Sequence, residues 1–86
     1  MVPPSREWTA RIEREVVVVL CELREAARLS KRRLALLAGL SPSQVGQVER
    51  GVNGYSFWFS QRIAEVLGVR LSVVIRRAER RVWKGK

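Results

Sequence analysis

The sequence predicts an all-α fold, a compact bundle of about five helices that forms a single domain over residues 1–86. Apolar residues recur at spacings of three and four along most of the chain, which is the period of a helix with one buried face. Three serines stand where helices would begin and three glycines where helices would end, as in capped helices. The turns between these helices are only a few residues long, and this pattern leaves an all-α bundle as the fold class.

The first predicted helix is long and spans residues 6–28. Its four consecutive valines, residues 16–19, favour a strand by propensity. The length and period of the apolar stripe favour a helix instead. That stripe consists of Trp8, Ile12, Val16, Val19, Leu20, Leu23 and Ala27.

Two short helices follow, at residues 31–38 and 42–50. Ser30 and Gly39 bracket the first of them, and Ser41 and Gly51 bracket the second. In the segment Ser41-Pro42-Ser43-Gln44, proline suits the first helical position and Gln44 can reach back to complete a capping box. The apolar face predicted for residues 31–38 is Leu34, Leu37 and Ala38.

The last two predicted helices lie beyond a loop at residues 52–55. Ser56 caps a helix at 57–67, and Gly68 ends it. The pattern of residues 69–83 predicts a fifth helix, although residues 73–75 would also suit a strand. The predicted core spans 12–75, and residues 76–86 form a basic extension that could contact a phosphate backbone, bind a membrane surface or remain solvated. Trp83 could fold back onto the domain.

The net charge of +9 lies entirely in the second part of the chain. Residues 1–29 hold five arginines and five glutamates, so residues 30–86 carry the whole excess. Such an asymmetry indicates a polyanionic partner. Charge alone does not separate DNA from RNA or from an anionic membrane.

The residue types that are missing argue against an enzyme. The chain has no histidine and no aspartate, which removes the usual general base, the commonest zinc ligand and the Ser-His-Asp triad. We therefore expect no catalysis, metal, cofactor or small-molecule ligand. The single cysteine excludes an intramolecular disulfide and fits a reducing compartment. The apolar run at 16–21 is too short to cross a membrane, so we expect a cytoplasmic protein.

The helices at 31–38 and 42–50, with a glycine in the turn between them, match a helix-turn-helix. From residue 16 to residue 75 the chain resembles the Cro/CI-type (XRE) family of helix-turn-helix repressors, which are lambda-repressor-like. The order and spacing agree without a gap. The matching residues are Leu20-x-x-Leu23-Arg24, Leu29-Ser30, Leu34-Ala35, Ala38-Gly39-Leu40-Ser41, Val45-x-x-Val48-Glu49-Arg50-Gly51 and Ile63-Ala64-x-x-Leu67-Gly68-Val69.

The third helix has two chemically distinct faces. Val45 and Val48 share the face that must pack on the second helix. The opposite face carries hydroxyl, amide and guanidinium groups, which match base edges and phosphate oxygens. Glycine within a helix costs about 1 kcal/mol against alanine, so Gly46 suggests that something approaches it closely. The outward residues are Ser43, Gly46, Gln47 and Arg50.

The resemblance implies a role for each exposed polar residue. Ser43 and Gln47 would read bases, and Gln44 either contacts DNA or only closes the capping box. Lys31 would reach phosphate, although the family usually has a glutamine there that supports a second glutamine at position 42, which is Pro42 in this chain. Glu49 would be an internal ion-pair partner. Phosphate contacts are further implied for Arg50, Asn53 and Tyr55, and Arg32 either joins them or is solvated.

Two apolar features suggest an interface with another chain. A small apolar patch on the reverse face of the first helix consists of Val17, Val18 and Cys21. This patch is either an interface or an ordinary part of the surface, and the sequence favours neither alternative. Trp58 would anchor a dimer or pack against the C-terminal helix, whereas Phe57 favours core filling.

These features predict a sequence-specific regulator that binds double-stranded DNA, a repressor acting as a homodimer on a pseudo-palindromic operator. The alternative is an antitoxin or adaptor of the same fold that neutralises a protein partner. An RNA-binding role is the third hypothesis.

Overall fold

The computed structural model describes residues 6–51 and 56–84, and within them it shows five helices and no strand. This confirms the predicted all-α class. The helices are α1 (Arg6–Ala26), α2 (Lys31–Ala38), α3 (Pro42–Glu49), α4 (Phe57–Leu67) and α5 (Leu71–Lys84).

The long helix α1 is the centre of the fold. It packs against α3, α4 and α5, while α2 packs against α3 and α4. Apolar residues from all five helices meet in one core, with Val16, Leu34, Val45, Ile63 and Val74 almost fully buried. The short helices α2 and α3 are therefore held by tertiary packing, since helices of eight residues are marginal alone.

The predicted caps are present. The hydroxyl oxygens of Ser30, Ser41 and Ser56 each accept a hydrogen bond from the backbone N–H three residues later, at 3.0–3.1 Å. Gly39 and Gly68 follow their helices in the left-handed conformation, with φ of 72° and 71°. Gly51 is also left-handed, with φ of 77°.

The apolar patch predicted on the reverse face of α1 is not an exposed surface. Val17 is only 7% exposed and belongs to the core, and Val18 and Cys21 are half-buried. Val17 and Cys21 line one small apolar cavity together with Leu34 and Val45. The surface position predicted for Val17 was wrong because α3 and α4 cover this side of α1, so the helix is apolar around more than one face.

Three further burial predictions were wrong. Leu37 is exposed, and the buried face of α2 uses Ala35 instead, because α2 turns positions 34, 35 and 38 toward the core. Phe57 is 65% exposed because the buried face of α4 begins at Phe59. Ala27, in the turn that follows α1, is exposed as well.

Helix α5 resolves the ambiguity between helix and strand at residues 73–75. Its apolar residues Leu71, Val74, Ala78 and Val82 are buried. A helix that binds a membrane surface needs its apolar face for the lipid, so the observed packing argues against that role. None of the described helices is long and apolar enough to span a membrane.

The end of α5 is tied to α1 by polar and aromatic contacts. Arg81 pairs with Glu22 at 2.6 Å and with Glu15 at 3.6 Å. The hydrogen bond from Arg81 holds the pKa of Glu22 below its ordinary value. The Trp83 ring stands edge-on to the Trp8 ring, with centroids 4.9 Å apart, which confirms that Trp83 folds back.

Candidate nucleic-acid interface

Helix α3 begins with a complete capping box. The Ser41 hydroxyl accepts from the Gln44 backbone N–H at 3.1 Å, and the Gln44 side-chain oxygen accepts from the Ser41 N–H at 3.0 Å. Pro42 occupies the first turn, where it displaces no helical hydrogen bond. Of the two roles open for Gln44, the structure shows the capping role.

The two faces of α3 are oriented as predicted. Val45 and Val48 are buried in the core. Ser43 and Arg50 are exposed, and Gln47 is half-buried at the edge of the same outer face. The outer surface of α3 therefore presents a hydroxyl, an amide and a guanidinium next to one another along the helix.

Gly46 departs from the prediction because it is buried and not exposed. The group that covers it is the side chain of Arg50, one turn further along α3. A Cβ placed on Gly46 would lie 3.0 Å from Nη1 of Arg50. The predicted close approach is present, and Arg50 makes it.

A buried ion pair fastens the C-terminal end of α3 to α1. The Arg24 Nε donates to Oε2 of Glu49 at 2.9 Å, and its Nη2 donates to Oε1 at 3.2 Å. The two side chains are only 9% and 10% exposed. A two-pronged pair of this kind is geometrically specific as well as charged. The predicted internal role of Glu49 is confirmed.

Sequence reasoning did not single out Arg24 as the partner of Glu49. The available signal was its place four residues after Leu20, on the apolar stripe of α1, where an arginine needs a buried partner. Arg24 also donates to the Leu29 carbonyl at 2.7 Å, so it closes the end of α1. Its hydrogen bond with Glu49 raises the pKa of Arg24, which stays charged.

Cys21 completes this cluster. Its thiol donates to Oε1 of Glu49 at 3.4 Å. Burial raises the pKa of the Cys21 thiol, and the charge of Glu49 raises it further. A thiol of this kind is protonated at neutral pH and poorly reactive, so its role here is structural.

The first turn of α2 is a second basic region. Lys31, Arg32 and Arg33 are all exposed, and the turn contains no acidic residue. Cations at the start of a helix oppose its dipole. A phosphate at this position would neutralise them and accept hydrogen bonds from the backbone N–H groups of the first turn.

The remaining residues for which contacts were predicted lie between α3 and α4, at the start of α4 and on α5. Asn53 and Tyr55 lie outside the described residues. Trp58 is 58% exposed at the start of α4, as a partner contact would require. On α5 the side chains of Arg76, Arg77 and Arg80 are exposed, whereas Arg81 is turned toward α1.

A family model described as a helix-turn-helix domain matches residues 15–78, about three quarters of the chain. The chain belongs to this helix-turn-helix family. Membership confirms the resemblance found in the sequence, and it makes α2 and α3 the two helices of the motif. In this motif α3 is the second of the two helices.

Similar folds occur among solved structures. The crystal structure of the clp gene regulator ClgR from Corynebacterium glutamicum aligns with a TM-score of 0.76, over 86% of this chain and 79% of that chain. The sequence identity is 20%, so this likeness shows the fold of the helix-turn-helix protein and not its target. No curated protein sequence matches the chain.

Proposed function

We propose that this protein is a sequence-specific transcriptional regulator that represses by binding a pseudo-palindromic operator as a homodimer. The observation that supports this most is the orientation of α3. Val45 and Val48 are buried, so the polar face with Ser43 and Gln47 is turned away from the core. A major groove admits such a helix, and bound protein would exclude other proteins from the operator.

The proposed contacts separate into affinity and specificity. Lys31 and Arg32 in the first turn of α2 contact phosphates, which gives affinity but no sequence information. Ser43 and Gln47 contact base edges, and the Gln47 amide can bind adenine through two hydrogen bonds. Arg50 supplies a further cation on the same surface. The family resemblance adds Asn53 and Tyr55 from the loop that lies outside the described residues.

The first test measures binding to duplex DNA from the protein's own upstream region across a range of salt concentrations. We expect log K to fall by about 0.9 for each engaged phosphate per unit of log salt. Gln47→Ala should lose about 1–3 kcal/mol on the preferred site and little on random DNA. Lys31→Ala should weaken binding to all sequences alike and flatten the salt slope.

Matched variants make this test specific. Gln61→Ala removes a glutamine from α4, and Arg6→Ala removes an exposed arginine from the start of α1, so both should leave DNA binding almost unchanged. If Gln47→Ala lost equal affinity for preferred and random DNA, base recognition by Gln47 would be refuted. Binding that is insensitive to salt would refute the phosphate contacts.

The proposed homodimer uses Trp58, whose large exposed ring suits the centre of an interface. Val18 and Cys21 are half-buried, so they can contribute only at its edge. Light scattering after size exclusion should give twice the 9.9 kDa of one chain. Trp58→Ser should shift the protein to the monomer, whereas Trp83→Ser should not, since Trp83 packs on Trp8 within the chain. A dimer that survives Trp58→Ser would place the interface elsewhere.

A second candidate function is that of an antitoxin or adaptor that neutralises a protein partner. It is favoured by the apolar side chains that the fold leaves exposed on α2 and α4, namely Leu36, Leu37, Phe57 and Trp58. Purification as a stoichiometric complex with the product of a neighbouring gene would support it. Competition by double-stranded RNA would instead indicate RNA binding, although the narrow major groove of A-form RNA does not admit α3.

A further inference from the structure

Position 46 of α3 carries a residue that weakens the helix. Glycine lowers the equilibrium constant for forming a helix about fivefold relative to alanine. Gly46 lies in the middle of the eight-residue helix, where no turn requires a glycine. We therefore attribute the glycine to a group that packs closely against position 46, and not to a backbone conformation that only glycine adopts.

That contact is with the guanidinium of Arg50. The three heavy atoms nearest to a Cβ built on Gly46 all belong to Arg50, with Nη1 at 3.0 Å, Cζ at 3.8 Å and Nη2 at 3.9 Å. A separation of 3.0 Å is tighter than nine in ten real Cβ contacts. The guanidinium therefore lies against the position that a Cβ would take, and a longer side chain at position 46 would compete with it for the same space.

The contact changes where the charge of Arg50 lies on the helix. Arg50 is the C-cap of α3, so its Cα lies at the end of the helix. Its guanidinium atoms lie 3.0–3.9 Å from the Cβ position of Gly46, and the Cα of Gly46 is about 6 Å nearer the start of the helix. Gly46 lies between Ser43 and Gln47 in the chain, so the guanidinium is folded back toward the part of α3 that carries the proposed base contacts.

We propose that Gly46 is a positioning residue that determines sequence preference, because it lets the Arg50 guanidinium lie against α3 and bind the O6 and N7 atoms of a guanine. The inference rests on the proposed DNA binding. It assigns Arg50 a base contact in place of the phosphate contact that the family resemblance implies. A guanidinium suits guanine because two of its N–H donors match two adjacent acceptors in the major groove.

Two substitutions at position 46 separate this role from a role in folding. Gly46→Ala should move the guanidinium by a few tenths of an ångström, and Gly46→Leu should displace it fully. Both residues favour helix, so neither variant should unfold more easily than the wild type. The unfolding midpoint in urea serves as the check on folding.

The experiment is a thermodynamic cycle. The wild type first selects its best duplex from a randomised library, and affinities are then measured for that duplex and for each of its single-base-pair variants. Wild type, Gly46→Ala, Gly46→Leu, Arg50→Ala and the double variant Gly46→Leu/Arg50→Ala are compared. We expect Arg50→Ala and Gly46→Leu each to lose about 5- to 150-fold on the selected duplex. The loss should disappear when one particular G·C pair has been changed, and Gly46→Leu should cause no further loss once Arg50 is alanine.

Three results would overturn the inference. The first is a Gly46→Leu loss that persists in full when Arg50 is alanine. The second is an Arg50→Ala loss that is equal for every sequence, which would make Arg50 a phosphate contact. The third is a wild type that selects no preferred duplex, and this result alone would also overturn the proposed function.

Discussion

Glu49→Ala is expected to lower the free energy of unfolding by about 3 kcal/mol. Breaking a buried ion pair typically costs about 3–5 kcal/mol, because the remaining charge is left without its partner. Here the remaining charge is the guanidinium of Arg24, whose side chain is only 9% exposed. The lower end of the range applies because Arg24 would not lose all its partners. It keeps its hydrogen bond to the Leu29 carbonyl at 2.7 Å and its ion pair with Glu25 at 3.9 Å. The measurement is equilibrium unfolding in urea, followed by circular dichroism.

The control for this prediction is Glu65→Ala. Glu65 also pairs with an arginine, Arg62, but its side chain is half exposed, and such surface pairs contribute about 0–1 kcal/mol. Replacing both partners, as in Arg24→Met/Glu49→Leu, should cost less than Glu49→Ala alone, because no buried charge remains. Equal losses for Glu49→Ala and Glu65→Ala would show that the pair between α1 and α3 contributes no special stability.

Leu34→Ala is expected to lower the free energy of unfolding by about 2–5 kcal/mol. Leu34 is 1% exposed and is among the largest fully buried residues. It lines one small cavity together with Val45 of α3. The substitution removes apolar contacts and leaves a cavity that helices of eight residues can close only in part. Because the total stability of a small domain is only about 5–15 kcal/mol, thermal unfolding should show a large drop in Tm.

The same helix provides the matched control. Leu36→Ala makes the same chemical change on α2 at a residue that is 69% exposed, so it should change the free energy of unfolding by less than about 0.5 kcal/mol. A loss at Leu36 as large as that at Leu34 would mean that the outer face of α2 is covered, for example by a second chain. In that case the loss should shrink as the protein concentration is lowered below the dissociation constant.

The local signals of the sequence predicted the helix boundaries closely. Serine hydroxyls and glycines act within a few residues of their own position, so caps at Ser30, Ser41 and Ser56 could be assigned without knowledge of the fold. The capping box of Ser41 and Gln44 is of the same local kind. The faces of α3 also followed from spacing, since only Val45 and Val48 could serve as its buried stripe.

The errors at Val17, Leu37 and Phe57 have one cause, which is that burial depends on which sides of a helix its neighbours cover. Val17 was predicted to be on the surface because one face of α1 already had an apolar stripe, but α3, α4 and α5 pack around several sides of that helix. Leu37 and Phe57 were predicted to be buried because they are apolar, yet no neighbouring helix covers them. A periodic pattern identifies an apolar face and does not count the helices that meet it.

By itself the sequence determined the helices, their caps, the helix-turn-helix spacing and the outward polar face of α3, because each depends on residues at most one or two turns apart. Only the tertiary structure decided that Arg24 holds Glu49, that α5 buries its apolar face, and that the Arg50 guanidinium covers Gly46. The first two depend on packing between segments distant in the chain. The third depends on which conformation a long side chain adopts, and spacing alone cannot select that conformation.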